Sequence, residues 1–222
     1  FDGALDLDVT MIWYPSGAPQ VKAAVDEGAW DIGGAGVVPN ILGGPQGIMG
    51  IGISMDQSAT NQLVGNGAGV ELWPPESAEG IPIVVSPNST GDFVVQACLK
   101  SQGFNIDNVE FIYEQQQAGC IEAMSPDGNG TARANLGGLW APNTYKFLET
   151  VDGAETICTG ASVYAKVTGG HMARRAFTEE KPRVVAKVLA GWLRAVEFIK
   201  EDGNKNEVLD FMTEFFSDNG VD

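Results

Sequence analysis

The feature that most constrains this chain is a strand, a small-residue turn and a helix start, written twice in the same order. Val9-Thr10-Met11-Ile12-Trp13-Tyr14 reads as a strand running into Pro15-Ser16-Gly17 and a helix over Gln20–Glu27. Ile83-Val84-Val85 reads as a strand running into Ser86-Pro87-Asn88-Ser89-Thr90-Gly91 and a helix over Phe93–Gln102. A helix that opens in such a turn aims unpaired N–H groups, and the positive end of its dipole, at one spot. Two such spots facing each other make a cleft for a small anionic or zwitterionic ligand.

Strands and helices keep alternating elsewhere. Trp30–Gly36 and Gly47–Ser54 read as strands with a helix over Val38–Leu42 between them, and Asn61–Val70 reads as extended. Beyond the proline-rich Trp73-Pro74-Pro75-Glu76, strands are expected at Val109–Tyr113, Ala132–Leu139 and Thr156–Cys158. Helices are expected at Ala118–Met124 and Thr144–Glu149. Two final helices, Pro182–Glu201 and Glu207–Phe216, carry apolar stripes of the kind that pack into a core. This alternation predicts an α/β fold with mainly parallel sheets flanked by helices. In open sheets of that kind ligands sit beyond the carboxyl ends of strands. Ser16-Gly17, Gly34-Ala35-Gly36, Asn88-Ser89-Thr90 and Trp140-Ala141-Pro142 all fall at such ends.

Charge and cysteine content exclude several alternatives. With 13 Lys+Arg against 29 Asp+Glu the net charge is -16, and no Lys or Arg occurs from residue 23 to 99. No nucleic-acid partner is expected, because the basic face that phosphates require is missing. No apolar run reaches the roughly 18 residues of a membrane span. The single histidine, His171, sits in Thr168-Gly169-Gly170-His171-Met172 and reads as structural. Three cysteines, Cys98, Cys120 and Cys158, lack metal spacing and allow one disulfide with one thiol left over, the pair being open. No metal site, cofactor or catalytic residue is expected.

The order of motifs resembles the solute-binding proteins of ABC importers, in the branch that handles sulfonates, taurine and nitrate. Ser16-Gly17 and the run Ala24–Pro39, with Gly28, Asp31-Ile32 and Gly36, match that family's turn and its "al..G..Di...G..p" phrase. Asn88-Ser89-Thr90 matches its "GST" helix start with Asn in place of Gly, and Cys98-Leu99 through Gly103 to Val109 matches the phrase that follows. Trp140-Ala141-Pro142 matches its "W.P" turn, and Phe177, Pro182, Trp192, Arg194-Ala195 and Phe198-Ile199 match its ending.

The resemblance implies a non-catalytic, periplasmic or extracellular receptor with two lobes that close on a solute and deliver it to the permease subunits. Lobe one is then residues 1–76 with 176–222, without the family's first strand and helix, and lobe two is residues 77–175. Ser89 and Thr90, beside Asn88, are expected to hold an oxyanion head, with Ser16 and Gly17 at the opposite turn. The backbone at Gly34, Ala35 and Gly36 approaches from the other lobe. Tyr14 and Trp140, with Pro142, cover the apolar part, and Gln115, in the run Gln115-Gln116-Gln117 that otherwise reads as a solvated loop, supplies a hydrogen bond. The competing expectation is a binding-protein-like chain reused as a structural or sensor component of an assembly.

Overall fold

The computed structural model describes residues 5–74 and 80–218. Pro75 and Glu76 of the proline-rich passage, and the first four residues, lie outside them. By internal contacts the chain divides into two units, Ile12–Ala176 and Phe1–Met11 with Phe177–Asp222.

The unit Ile12–Ala176 holds both sheets. It opens with helix α1 (Gly17–Glu27), strand β1 (Ile32–Gly36), helix α2 (Val37–Gly43) and strand β2 (Ile48–Asp56). Strand β3 (Asn61–Gly65), helix α3 (Gly67–Leu72), strand β4 (Pro82–Val85), helix α4 (Thr90–Ser101) and strand β5 (Glu110–Tyr113) follow. Helix α5 (Gln117–Met124), strand β6 (Leu136–Trp140), helix α6 (Asn143–Thr150), strand β7 (Glu155–Thr159) and strand β8 (Thr168–Arg174) complete it. Helix α7 (Arg175–Glu180) carries the chain across the boundary. The other unit contains α8 (Pro182–Lys200) and α9 (Lys205–Asp218).

The smaller sheet has the order β1-β8-β2 and the larger β5-β4-β6-β3-β7. The α/β class expected from the sequence holds, but the sheets are mixed. Among the described residues β4 pairs parallel with β5 and β6, while β8 pairs antiparallel with β1 and β2, and β3 antiparallel with β6 and β7. Hydrophobic period reveals that a segment is a strand, not which way it runs. β3 enters the larger sheet straight from β2 of the smaller one, so no crossover helix forces it parallel.

Alternation along the central strands explains how the larger sheet is buried. Leu63, Ile83, Val85 and Leu136 face α4 with Val94, Val95, Cys98 and Leu99, whereas Val64, Val84 and Leu139 face α5 and α6 with Cys120, Ala123, Met124 and Phe147. Each Val, Leu, Ile, Met or Phe side chain among them, fully buried, contributes about 1.5–3 kcal/mol. A third cluster, Val21, Ala24, Trp30, Ile48 and Met172, joins α1 to the smaller sheet. Gly28 ends α1 at φ 62°, its N–H donating to the Ala24 carbonyl at 3.1 Å while Ala29 N–H donates to the Ala23 carbonyl at 3.2 Å.

Three local expectations are corrected. Val9–Tyr14 is not a strand, and Val9, Met11, Ile12 and Trp13 are exposed. β-branched and aromatic residues supply the propensity there, but no neighbouring strand of the described residues pairs with them. Asn61–Val70 is extended only to Gly65, because the Asn66 side chain accepts from Gly69 N at 2.9 Å and starts α3. The strand expected from Ala132 begins at Leu136. His171 lies inside β8, opposite Gly34 and Gly52. In α8 only Val185 and Gly191 are buried, so its stripe is half covered, and Leu209, Phe211 and Met212 of α9 are exposed.

Cys98 and Cys158 form a disulfide with Cα atoms 6.2 Å apart, tying α4 to β7. Cys120 is on the opposite face of the same sheet, which is why it takes no part. Burial pushes the Cys120 thiol up to about 11, against the pull of its contact with Ser86. At pH 8 only about one molecule in a thousand then carries a thiolate there. A thiol reagent is expected to count no cysteine in the native protein, one in denaturant and three after reduction. Rapid labelling of the native protein would contradict this burial.

Candidate functional site

The start of α4 shows how the sequence builds a helix end with a capacity left over. Ser89 is extended at the N-cap, and its hydroxyl accepts from Asp92 N at 3.0 Å. Asp92 also accepts from Asn88 N at 3.2 Å, which steadies Asn88 in its left-handed conformation, φ 58°. Asp92 in the first turn and Lys100 in the last both complement the helix dipole. Thr90 lies on the inner side, 6% exposed, and its hydroxyl oxygen has no hydrogen-bond partner. A buried hydroxyl without a partner costs about 1–3 kcal/mol, so it calls for an explanation.

What lies against Thr90 is the turn that ends β1. A Cβ added to Gly36 would stand 2.1 Å from Thr90 Oγ1, with Gln57 Oε1 at 3.6 Å. Only glycine fits there, and its use is close approach of one sheet's turn to the other sheet's helix. Asn40, one turn into α2, donates to the carbonyls of Ala35 and Gly36 at 3.2 and 3.0 Å. Its Oδ1 is buried and unpartnered.

The remaining expected residues fall around this contact unevenly. A Cβ on Gly17 would meet Pro39 and Ala35, so the start of α1 abuts the same turn; Ser16 is its N-cap without a side-chain cap bond. The Trp140 ring covers Gly91, 3.1 Å from where a Cβ would be. Gly17, Ala35, Gly36, Thr90 and Trp140 therefore lie along one run of contacts. Tyr14 instead packs with the cluster between α1 and the smaller sheet. Gly34, Asn88, Gln115 and Pro142 are exposed, the last following a cis peptide bond from Ala141.

The sequence reading passed over Gln57, Asn40 and Thr144, and took Gln117 only as part of the Gln115-Gln116-Gln117 run, not as a buried side chain. Thr144 in α6 is fully buried and its hydroxyl is also without a partner. Thr90 and Thr144 thus place two unsatisfied hydroxyls just beyond the carboxyl ends of the adjacent parallel strands β4 and β6. Gln117 is buried, donates to Ser86 Oγ at 3.2 Å and to the Gly138 carbonyl at 3.4 Å, and accepts from Trp140 N at 3.1 Å. A period of three to four from Gln117 through Cys120 to Met124 was the available signal.

A groove of about 430 Å³ lies elsewhere, lined by Trp73, Ser101, Gln102, Cys158 and Tyr164 among others. It sits at the far end of α4, whose 12 residues span about 18 Å. None of the residues above lines it. Among the described residues no group of three or more His, Cys, Asp or Glu is placed to hold a metal ion. Burial lowers the pKa of His171 below its ordinary 6.5. The unfolded chain then takes up that proton first, so this residue's contribution to stability falls as pH drops from 6.5 toward the folded value.

No protein-family model and no curated protein matches the sequence. Solved structures do match its fold. The periplasmic aliphatic sulphonate binding protein SsuA from Escherichia coli is 15% identical with a TM-score of 0.73, the match covering 100% of this chain and 72% of that one. The alkanesulfonate-binding protein SsuA from Xanthomonas axonopodis pv. citri, bound to MOPS, is 14% identical with a TM-score of 0.76 over the same shares. A Candida albicans gene product, CA3427, with the generic periplasmic binding protein fold is 11% identical with a TM-score of 0.68, covering 98% and 68%. The chain has the periplasmic binding protein fold.

Proposed function

We propose that this protein is a non-catalytic solute receptor of an ABC-type importer, binding a small anionic or zwitterionic solute of sulfonate, taurine-like or nitrate-like chemistry. The observation that carries this reading is the unpartnered, buried Thr90 hydroxyl at the start of a three-turn helix, directly against Gly36. An oxyanion head held there meets the hydroxyl, the free N–H groups of the first turn and the positive dipole end, worth up to about 2 kcal/mol when buried. No Lys or Arg from residue 23 to 99 contributes a charge, which suits a singly charged or zwitterionic solute over a multiply charged one.

Closure in this reading brings the turn of the smaller sheet onto the helix starts of the larger one. The sheets would form the centres of two lobes, β1, β2 and β8 in one and β3 to β7 in the other. The disulfide supports an oxidising, periplasmic or extracellular setting. No described helix is long and apolar enough to cross a membrane, and in this reading separate permease subunits receive the solute.

A thermal-shift series with taurine, alkanesulfonates, nitrate, bicarbonate and amino acids tests the reading. A solute at 100 times its Kd adds about 2.7 kcal/mol, several degrees for a chain of this length. Thr90→Val sharpens the test: removing an unsatisfied hydroxyl is expected to leave the free protein as stable or slightly more so, while abolishing most of the solute's shift. No shift with any of these solutes would favour an assembly component over a receptor. A shift that survives Thr90→Val would place the solute elsewhere.

A further inference from the structure

We infer that Gln117 is a positioning residue that completes the β-ladder where two strands part, and thereby registers Trp140 over the first turn of α4. The role at a binding site rests on the proposed receptor function; the positioning itself does not.

β4 and β6 are paired at Ile83 with Leu136 and at Val84 with Gly137, and the pairing stops there. β4 ends at Val85 and turns through Ser86 toward α4, while β6 continues to Trp140. Beyond the last pair, the Gly138 carbonyl and the Trp140 N–H have lost the neighbouring strand. In a buried sheet such groups must find partners. The Gln117 side chain supplies both, donating to Gly138 O at 3.4 Å and accepting from Trp140 N at 3.1 Å. Its amide substitutes for the missing peptide group. The remaining amide hydrogen goes to Ser86 Oγ at 3.2 Å, which ties the same side chain to the diverging strand.

The amide's orientation follows from its neighbours. Gly138 O can only accept and Trp140 N–H can only donate, so the flipped amide would oppose like groups at both ends. A methionine fills the space but bonds to neither, and a glutamate retains the acceptor for Trp140. The consequence lies in the ring: Trp140 is the last residue of β6, and its indole rests on Gly91. Fixing the Trp140 backbone fixes how the indole covers the helix start next to Thr90. The same parting of strands opens the place where the candidate site lies, so one buried amide both holds the gap and aims the aromatic.

The test uses ligand-free protein. Trp140→Phe first assigns the contribution of that indole to the near-ultraviolet circular dichroism. Gln117→Met is then expected to accelerate hydrogen exchange of the Trp140 amide at least tenfold and to alter the Trp140 band, with the bands of the other tryptophans kept. Gln117→Glu is expected to retain protection of that amide and serves if the methionine variant does not fold. Wild-type protection of the Trp140 amide in folded Gln117→Met, loss of protection in Gln117→Glu, or an unchanged Trp140 band, overturns the inference. None of these outcomes depends on any solute, so failure here and failure of the receptor reading are distinguishable.

Discussion

Opening the Cys98–Cys158 bond is expected to lower the free energy of unfolding by about 4 kcal/mol. The two cysteines are 60 residues apart, so the bond removes a large share of the unfolded chain's freedom. The loop it closes contains β5, α5, β6, α6 and most of β7, which is much of the larger sheet. For a chain of this size the loss corresponds to a fall in Tm of about 10 °C. Equilibrium denaturation of the oxidised protein and of the Cys98→Ala/Cys158→Ala variant measures it, with Cys120 left in place. Both half-cystines are buried in the cluster between the larger sheet and α4, so paired alanines also lose some packing. Reduction of the unaltered protein separates the two effects, because it breaks the link and keeps the sulfur atoms. Equal midpoints before and after reduction would show that the link contributes nothing.

Gly36→Ala is expected to weaken solute binding by about a hundredfold, the affinity equivalent of the ~3 kcal/mol at the upper end of overpacking costs. The added methyl would stand 2.1 Å from Thr90 Oγ1 and 3.0 Å from Thr90 Cβ, so the turn and the helix must separate. The separation falls on the contact that the proposed binding uses, whereas each sheet keeps its own core. Stability of the free protein should therefore fall much less than affinity. Gly44→Ala is the control: nothing lies within 4 Å of its added methyl and its φ is -52°, an ordinary helical value. It should leave binding unchanged. Calorimetric titration with the solute that gives the largest thermal shift reads both variants, and equal affinities for the two would remove Gly36 from the site.

Much of this fold was legible because burial writes itself into the sequence. Ile83-Val84-Val85 is apolar throughout because its strand is covered on both faces, and Asn88-Ser89-Thr90 announces a helix start through its hydroxyls. Direction was not legible, since β3 and β8 look like any strand yet run against their neighbours. Val9–Tyr14 shows the converse, strand-like composition in a segment that joins neither sheet of the described residues. In the run Gln115-Gln116-Gln117 three identical residues hide one buried amide, and only helix phase separates it from its exposed neighbours. The disulfide pair depended on which face of a sheet each cysteine takes. That is settled by tertiary packing and not by spacing.

The staple between α4 and β7 has a kinetic consequence. Cys98 lies in the C-terminal half of α4, while Ser89 and Thr90 lie at its other end. The helix that presents the N–H groups is thus fastened to its own sheet and arrives at an encounter already ordered, with little conformational freedom left to lose. In the proposed receptor the movable surface would then be the glycine turn that ends β1. Residence time of a captured solute should follow how often that turn lifts away, and slowing α4 further should not lengthen it.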